Sequence, residues 1–119
     1  MITHLQHGDG CILTAAACVL DVTPLSLYES LGREVGSMVH VQELLRLLLE
    51  RGARPTILER WPRFGNEPPL DVPFWLYVHR GVLCTESHAY AYDKEADERY
   101  WDPNGKWLTT LDPLFAVVW

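Results

Sequence analysis

The sequence predicts an α+β fold in which N-terminal helices pack on a C-terminal antiparallel sheet. The first half holds three segments with helical composition and recognisable end signals. The second half holds short segments rich in β-branched and aromatic residues, bounded by proline and glycine. Helical and strand segments do not alternate, which argues against βαβ units. A single domain over residues 1–119 is expected, because half of this length would not hold a stable core.

The first helix is predicted over residues 11–20. It begins at Cys11, where the polar and glycine-rich "LQHGDG" gives way to the small and apolar "CILTAAACVL". A helix with so few polar atoms should be surrounded by protein on most sides. We therefore expect it to be the central helix of the fold.

Two further helices follow. Residues 24–31 are bracketed by Thr23, which suits the N-cap, by Pro24, which suits the first helical position, and by Gly32, which suits the exit. Residues 40–51, "HVQELLRLLLER", carry leucines on more than one face, so this helix should also be well packed.

The strands are predicted in the second half. The segments "RPTILERW" and "PFWLYVHR" are interpreted as strands joined by the proline-rich loop "WPRFGNEPPLDVP". Next, "SHAYAYD" and "ERYWD", separated by "KEAD", predict an antiparallel hairpin, and "LFAVVW" predicts a final strand. Aromatic residues of this half either line a substrate groove or belong to the core: Trp61, Phe64, Trp75 and Trp101.

Composition excludes several functions. The 16 acidic and 10 basic residues give a net charge of −6, and the arginines are scattered, which argues against a nucleic-acid partner. No apolar segment approaches the roughly 20 residues that span a bilayer, and the N-terminus lacks the pattern of a signal peptide. Three cysteines without a framework spacing favour a reduced, cytoplasmic protein without a cofactor.

Cys11 is the first candidate functional residue. A thiol at a helix N-terminus faces unpaired N–H groups and the positive end of the helix dipole, which both favour the nucleophilic thiolate. Gly8 and Gly10 leave its approach uncrowded. Asp9 either raises the thiol pKa or caps the helix. The alternative is a buried cysteine that acts as a small hydrophobe, which is what we expect of Cys18.

His88 and Asp102 are the predicted partners of this thiol. A turn centred near residues 95 and 96 pairs position 88 with 102 or 103, and a three-residue loop places His88 directly opposite Asp102. An imidazole would take the thiol proton, and a carboxylate would orient it. Gln6, just upstream of Cys11, could join the Cys11 backbone N–H in holding an oxyanion. Cys84, near the start of the hairpin, has no assigned role.

These residues resemble the papain-like cysteine peptidases. "QHGDGC" opening a small-residue helix, followed by "SHAYAYD" and "YWDPNG", is similar to the compact bacterial variety that includes domains cutting double-glycine leader peptides. The resemblance implies Gln6 as oxyanion donor, Cys11 as nucleophile, His88 as base and Asp102 as orienter. It also implies a bacterial or phage source, and hydrolysis of a peptide or isopeptide bond in a peptide or protein substrate.

Three alternatives remain open. An acyltransferase or a deamidase would use the same thiol with a different acceptor or substrate. A non-catalytic adaptor or inhibitor would keep the fold alone, and a Gln-to-Cys spacing one residue shorter than the family's usual one favours it. A zinc site would use His4, His7 and Cys11, with Asp9 beside them.

Overall fold

Three helices precede six strands in the computed structural model, which describes residues 1–59 and 78–119. The helices are α1 (Cys11–Leu20), α2 (Pro24–Leu31) and α3 (Val41–Glu50), which confirms the three predicted helices, with α3 one residue shorter at each end. The strands are β1 (Thr56–Glu59), β2 (Arg80–Cys84), β3 (Ala89–Asp93), β4 (Tyr100–Asp102), β5 (Lys106–Leu108) and β6 (Phe115–Val118). The α+β prediction is confirmed, and α1 begins at Cys11 as expected.

The ends of α2 follow the local signals in the sequence. The Thr23 hydroxyl accepts a hydrogen bond from the Ser26 N–H at 3.2 Å, and Pro24 occupies the first turn. Gly32 ends the helix in the left-handed conformation, with φ of 67°. Both ends thus satisfy backbone groups that a helix leaves unpaired.

Helix α1 lies at the centre of the protein. Its residues from Leu13 to Val19 are all buried, and it packs against both α2 and the sheet. Three consecutive alanines, at positions 15–17, share one core with Ala89 and Ala91 of β3. Because the facing side chains of α1 and β3 are small, the helix can lie close to β3, the strand that follows His88.

The sheet is antiparallel throughout, with strand order β1-β6-β2-β3-β4-β5. The last strand of the chain, β6, therefore lies between β1 and β2. The three helices precede this sheet in the chain, and α1 contacts β2 and β3 at its middle.

Several strand predictions require correction or fall outside the described residues. Residues 80–84 form β2, of which only Arg80 belonged to a predicted strand, and Cys84 is the last residue of β2, shortly before the β3–β4 hairpin. Residues 106–108 form β5, which was not predicted. Most of "PFWLYVHR" and of the proline-rich loop lies outside the described residues, as do Trp61, Phe64 and Trp75.

In the two described parts of the chain, no single helix has the length and apolar composition needed to cross a membrane. Helices α1 and α2 pass that test only together, as a pair bent by 116°.

Candidate active site

His88 and Asp102 form a hydrogen-bonded pair. The distance from His88 Nε2 to Asp102 Oδ1 is 2.7 Å, and their side chains are only 14 % and 5 % exposed. An ionised carboxylate only accepts hydrogen bonds, so Nε2 carries the proton and donates it to Asp102. The second nitrogen, Nδ1, is left as the one that can take up a proton. This is the tautomer that a general base oriented by a carboxylate requires.

The register that produces this pair differs from the predicted one. Ala91 of β3 pairs with Trp101 of β4, which sets position 90 level with Asp102. The predicted opposition of His88 and Asp102 is therefore wrong by two residues, because the connection between the strands is six residues long instead of three or four. A shift of two preserves the face on which each side chain lies, so the two residues meet diagonally.

The turn after β4 holds the Asp102 carboxylate in place. The Asn104 N–H donates to Asp102 Oδ1 at 2.9 Å, and the Gly105 N–H donates to the Asp102 carbonyl at 2.8 Å. Oδ1 thus accepts from both a backbone N–H and the imidazole. The sequence "DPNG" supplies this arrangement, because Asp side chains bind their own backbone two residues on.

Cys11 and His88 line one cleft of about 350 Å³. Cys11 is the first residue of α1, half-buried, and His88 directly precedes β3. The backbone N–H of Ala89, the residue after His88, lies near enough to the Cys11 sulfur to lower the pKa of the thiol. The peptide that joins His88 to Ala89 therefore lies against the thiol, and the structure brings three predicted residues, Cys11, His88 and Asp102, into one site.

The electrostatic environment of Cys11 contains opposing contributions. Burial raises the pKa of the thiol, and the negative charge of Asp9 raises it further. The nearby backbone N–H groups of Ala89, Ile12 and Cys11 itself lower the pKa, because they favour the thiolate. Asp9 does not cap α1, since the N-cap is Gly10 and no side chain caps it. The first N–H groups of α1 therefore remain available to an anion.

Gln6, the predicted oxyanion donor, lines the same cleft. Its backbone N–H donates to the Pro103 carbonyl at 2.9 Å, which ties it to the turn beside Asp102. Its side-chain Nε2 donates to the Gly8 carbonyl at 3.0 Å, and its buried Oε1 has no partner among the described residues. One of the two Nε2 hydrogens is thus already engaged, and the second is the one that an oxyanion could use.

The N-terminal segment crosses from the helices to the sheet edge. The His4 N–H donates to Cys18 Sγ at 3.2 Å, and its carbonyl accepts from Trp101 Nε1 at 2.9 Å. The Asp9 N–H donates to the Gly36 carbonyl at 2.9 Å. Trp101 is therefore a buried anchor for this segment instead of part of a substrate groove.

The zinc alternative is not supported by the positions of its ligands. Within residues 1–59 and 78–119, no three His, Cys, Asp or Glu side chains are grouped so that they could hold a metal ion. The His4 imidazole is turned into the protein, where its Nε2 is buried. Cys11 is directed toward Ala89.

Two contributors were not anticipated from the sequence. Tyr90 packs edge-on against the His88 ring, with centroids 4.9 Å apart and planes at 86°. The strand register places Tyr90 opposite Asp102. Burial raises the pKa of the Tyr90 hydroxyl, and the negative charges of Asp102 and Cys11 raise it further. The only signal in the sequence was the spacing of two between His88 and Tyr90, which puts them on one face of a strand. The Ala89 N–H left no signal, because every residue except proline has one.

Cys18 and Cys84 should be unreactive in the native protein. Burial raises the pKa of Cys18 to about 11 and that of Cys84 to about 12. We expect haloacetamide at pH 8 to label Cys11 alone, and all three cysteines after denaturation. Peptide mapping by mass spectrometry measures this. Labelling of Cys84 at the rate of Cys11 in folded protein would contradict the burial that the structure gives it.

A second cavity, of about 480 Å³, is lined by residues that flank β1, β2 and β6. None of its described lining residues is a cysteine, and it shares no lining residue with the cleft of Cys11. The larger cavity is therefore not the place where the thiol chemistry would occur.

Comparisons with models of protein families, with curated proteins and with solved structures found no match to this chain.

Proposed function

We propose that this chain is a thiol hydrolase, in its simplest form a cysteine peptidase that forms an acyl-enzyme on Cys11. The observation that carries the proposal is the His88–Asp102 pair, with Nε2 and Oδ1 2.7 Å apart, whose histidine lines the same cleft as Cys11. The resemblance of "QHGDGC", "SHAYAYD" and "YWDPNG" to papain-like peptidases supports it. The substrate would be a peptide or protein.

The first half of the reaction transfers the acyl group of the substrate to Cys11. His88 Nδ1 takes the proton of the Cys11 thiol as the sulfur attacks the substrate carbonyl carbon. The oxyanion that forms is held by N–H groups at the start of α1 and by the free hydrogen of Gln6 Nε2. His88 then gives its proton to the departing amine, the C–N bond breaks, and a thioester remains on Cys11.

The second half restores the enzyme. His88 takes a proton from a water molecule, whose oxygen attacks the thioester carbonyl, and the returning proton regenerates the thiol as the acid departs. Throughout, Asp102 accepts from Nε2 and stabilises the imidazolium whenever it forms. A different acceptor in place of water would make the same intermediate serve an acyltransferase.

A non-catalytic binder is the second candidate. The Gln6 amide, engaged with the Gly8 carbonyl, and the burial that raises the Cys11 thiol pKa both favour it. Such a protein would retain the cleft as a surface for a partner and would not depend on His88 for any chemistry.

The test is the pH dependence of Cys11 alkylation in the wild type and in His88→Ala. Burial raises the thiol pKa, so unaided Cys11 should react only as the pH rises above its ordinary titration near 8.5. With His88 as base or counter-ion, the wild type should already react between pH 6 and 8. We expect the variant to lose on the order of tenfold to 100-fold of the rate at pH 6.5.

His40→Ala is the matched control, because His40 also lines the cleft but makes no hydrogen bond to Asp102. It should retain the wild-type profile. Identical profiles for the wild type and His88→Ala would contradict the proposal and leave the binder as the better description.

A further inference from the structure

The cleft around Cys11 carries an excess of negative charge. Asp9 and Glu86 line it, and no lysine or arginine is among its described lining residues. The set of Cys11, His88 and Asp102 adds one more negative charge, whichever of the thiol and the imidazole holds their shared proton. The remaining titratable side chains of the lining are His40 and Cys84, and burial raises the pKa of Cys84 to about 12, so its thiol adds no charge.

The two carboxylates belong to separate segments of the chain, and backbone hydrogen bonds hold each segment. Asp9 precedes α1, and its N–H donates to the Gly36 carbonyl at 2.9 Å. Glu86 lies at the tip of the turn before β3, which is closed by the Thr85 N–H donating to the His88 carbonyl at 2.9 Å. Within residues 1–59 and 78–119, no cation forms an ion pair with either carboxylate.

The arginine beside the cleft does not offset these charges. Arg33 donates to the carbonyl of Met38, which lines the cleft, at 2.7 Å. The same guanidinium is paired with Glu43 at 3.0 Å. Its charge is thus neutralised locally, and the carboxylates of Asp9 and Glu86 dominate the field in the cleft.

We propose that the Cys11 cleft selects peptides that carry a lysine or arginine beside the scissile bond. The proposal rests on the function proposed above for this site. The same cleft is lined by five large apolar side chains: Ile12, Met38, Val39, Val41 and Phe115. A lysine or arginine side chain matches this combination, since its aliphatic stem covers apolar surface and its charged end reaches an acidic rim. An acidic side chain in the same place would be repelled.

The test uses methanethiosulfonates, which convert a thiol to a mixed disulfide without any catalytic step. Rates at Cys11 are measured for a trimethylammonium-bearing reagent and a sulfonate-bearing reagent, each relative to its rate with glutathione. We expect the normalised ratio of cationic to anionic rates to exceed tenfold at low salt and to approach one at 0.5 M salt. Asp9→Asn and Glu86→Gln should each lower this ratio by about fivefold. A unit charge roughly 8 Å away in water attracts the cationic reagent and repels the anionic one by about 0.5 kcal/mol each.

Glu50→Gln is the matched control, since Glu50 is exposed at the end of α3 and does not line the cleft. It should leave the ratio unchanged. A ratio near one at low salt, or a ratio that Asp9→Asn and Glu86→Gln do not lower, would overturn the proposed selectivity even if His88 proves to activate Cys11.

The second measurement compares fluorogenic peptides that differ only in lysine, norleucine or glutamate at the two positions before the scissile bond. We expect kcat/KM to fall at least tenfold from lysine to glutamate, with norleucine between them. Equal values for the three peptides would overturn the selectivity. If none of the peptides is cleaved while the ratio of cationic to anionic reagent rates exceeds tenfold, the peptidase proposal is contradicted. The cleft would then attract cations without cleaving peptides.

Discussion

Replacing Cys11 by alanine should remove the proposed hydrolytic activity by a factor on the order of 10⁴, because the second thiol of the cleft, Cys84, is buried and its pKa is raised to about 12. Serine at this position should lose nearly as much, since a hydroxyl is a far weaker nucleophile. The measurement is the burst of nitrophenol from a p-nitrophenyl ester, with the acylated residue located by mass spectrometry. In the wild type, the acyl group should be found on Cys11.

Stability should change little in these variants. Cys11 is half-buried at the first position of α1, and its sulfur contacts backbone N–H groups that solvent can also satisfy. We expect the free energy of unfolding to fall by less than about 1 kcal/mol. Cys18→Ala is the control for the loss of a thiol, and it should retain the burst. A burst that survives in Cys11→Ala would place the nucleophile elsewhere.

Alanine at position 81 should destabilise the protein strongly. Gly81 of β2 faces Val118 of β6 on one side and Tyr92 of β3 on the other. A Cβ added there would lie 2.3 Å from the Val117 carbonyl oxygen, which belongs to the backbone of the neighbouring strand. The strands would have to separate in the middle of the sheet, and we expect a cost of about 3 kcal/mol or more.

Gly52→Ala is the matched control for this substitution. Gly52 has φ of +83°, but no atom lies within 4 Å of an added Cβ. Only backbone strain remains, which costs about 1 to 2 kcal/mol. Urea unfolding followed by circular dichroism compares the two variants. If Gly81→Ala were no less stable than Gly52→Ala, the spacing of β2 and β6 in the structure would be incorrect.

The helices could be predicted because their signals are local. Thr23, Pro24 and Gly32 fix the ends of α2 through contacts within a few residues, and the small-residue run from Cys11 fixes α1. Strand β5 was missed because only three residues, Lys106–Leu108, form it. One of them is exposed and the other two are half-buried, so the segment has no clear apolar pattern. Short strands of this kind depend on the neighbour that they pair with more than on composition.

The site could be predicted only in part. The association of His88 with Asp102 was predicted despite the wrong register, because the error of two residues kept both side chains on one face. The contact between the Ala89 N–H and the Cys11 sulfur could not be predicted, since it depends on how closely α1 packs on β3. The same holds for the bond between the Gln6 N–H and the Pro103 carbonyl, which joins distant parts of the chain.

The place of β6 in the sheet bears on how this protein is made. A ribosome releases residues 115–118 after all the other strands, yet these residues join β1 to β2 in the interior of the sheet. A nascent chain that stops before them leaves β1 without its partner β6, and the helices have an incomplete surface to pack on. Pairing across such long stretches of chain is slow compared with helix formation. Synthesis should therefore delay assembly of the cleft around Cys11, which Phe115 of β6 also lines, until residues 115–118 have emerged.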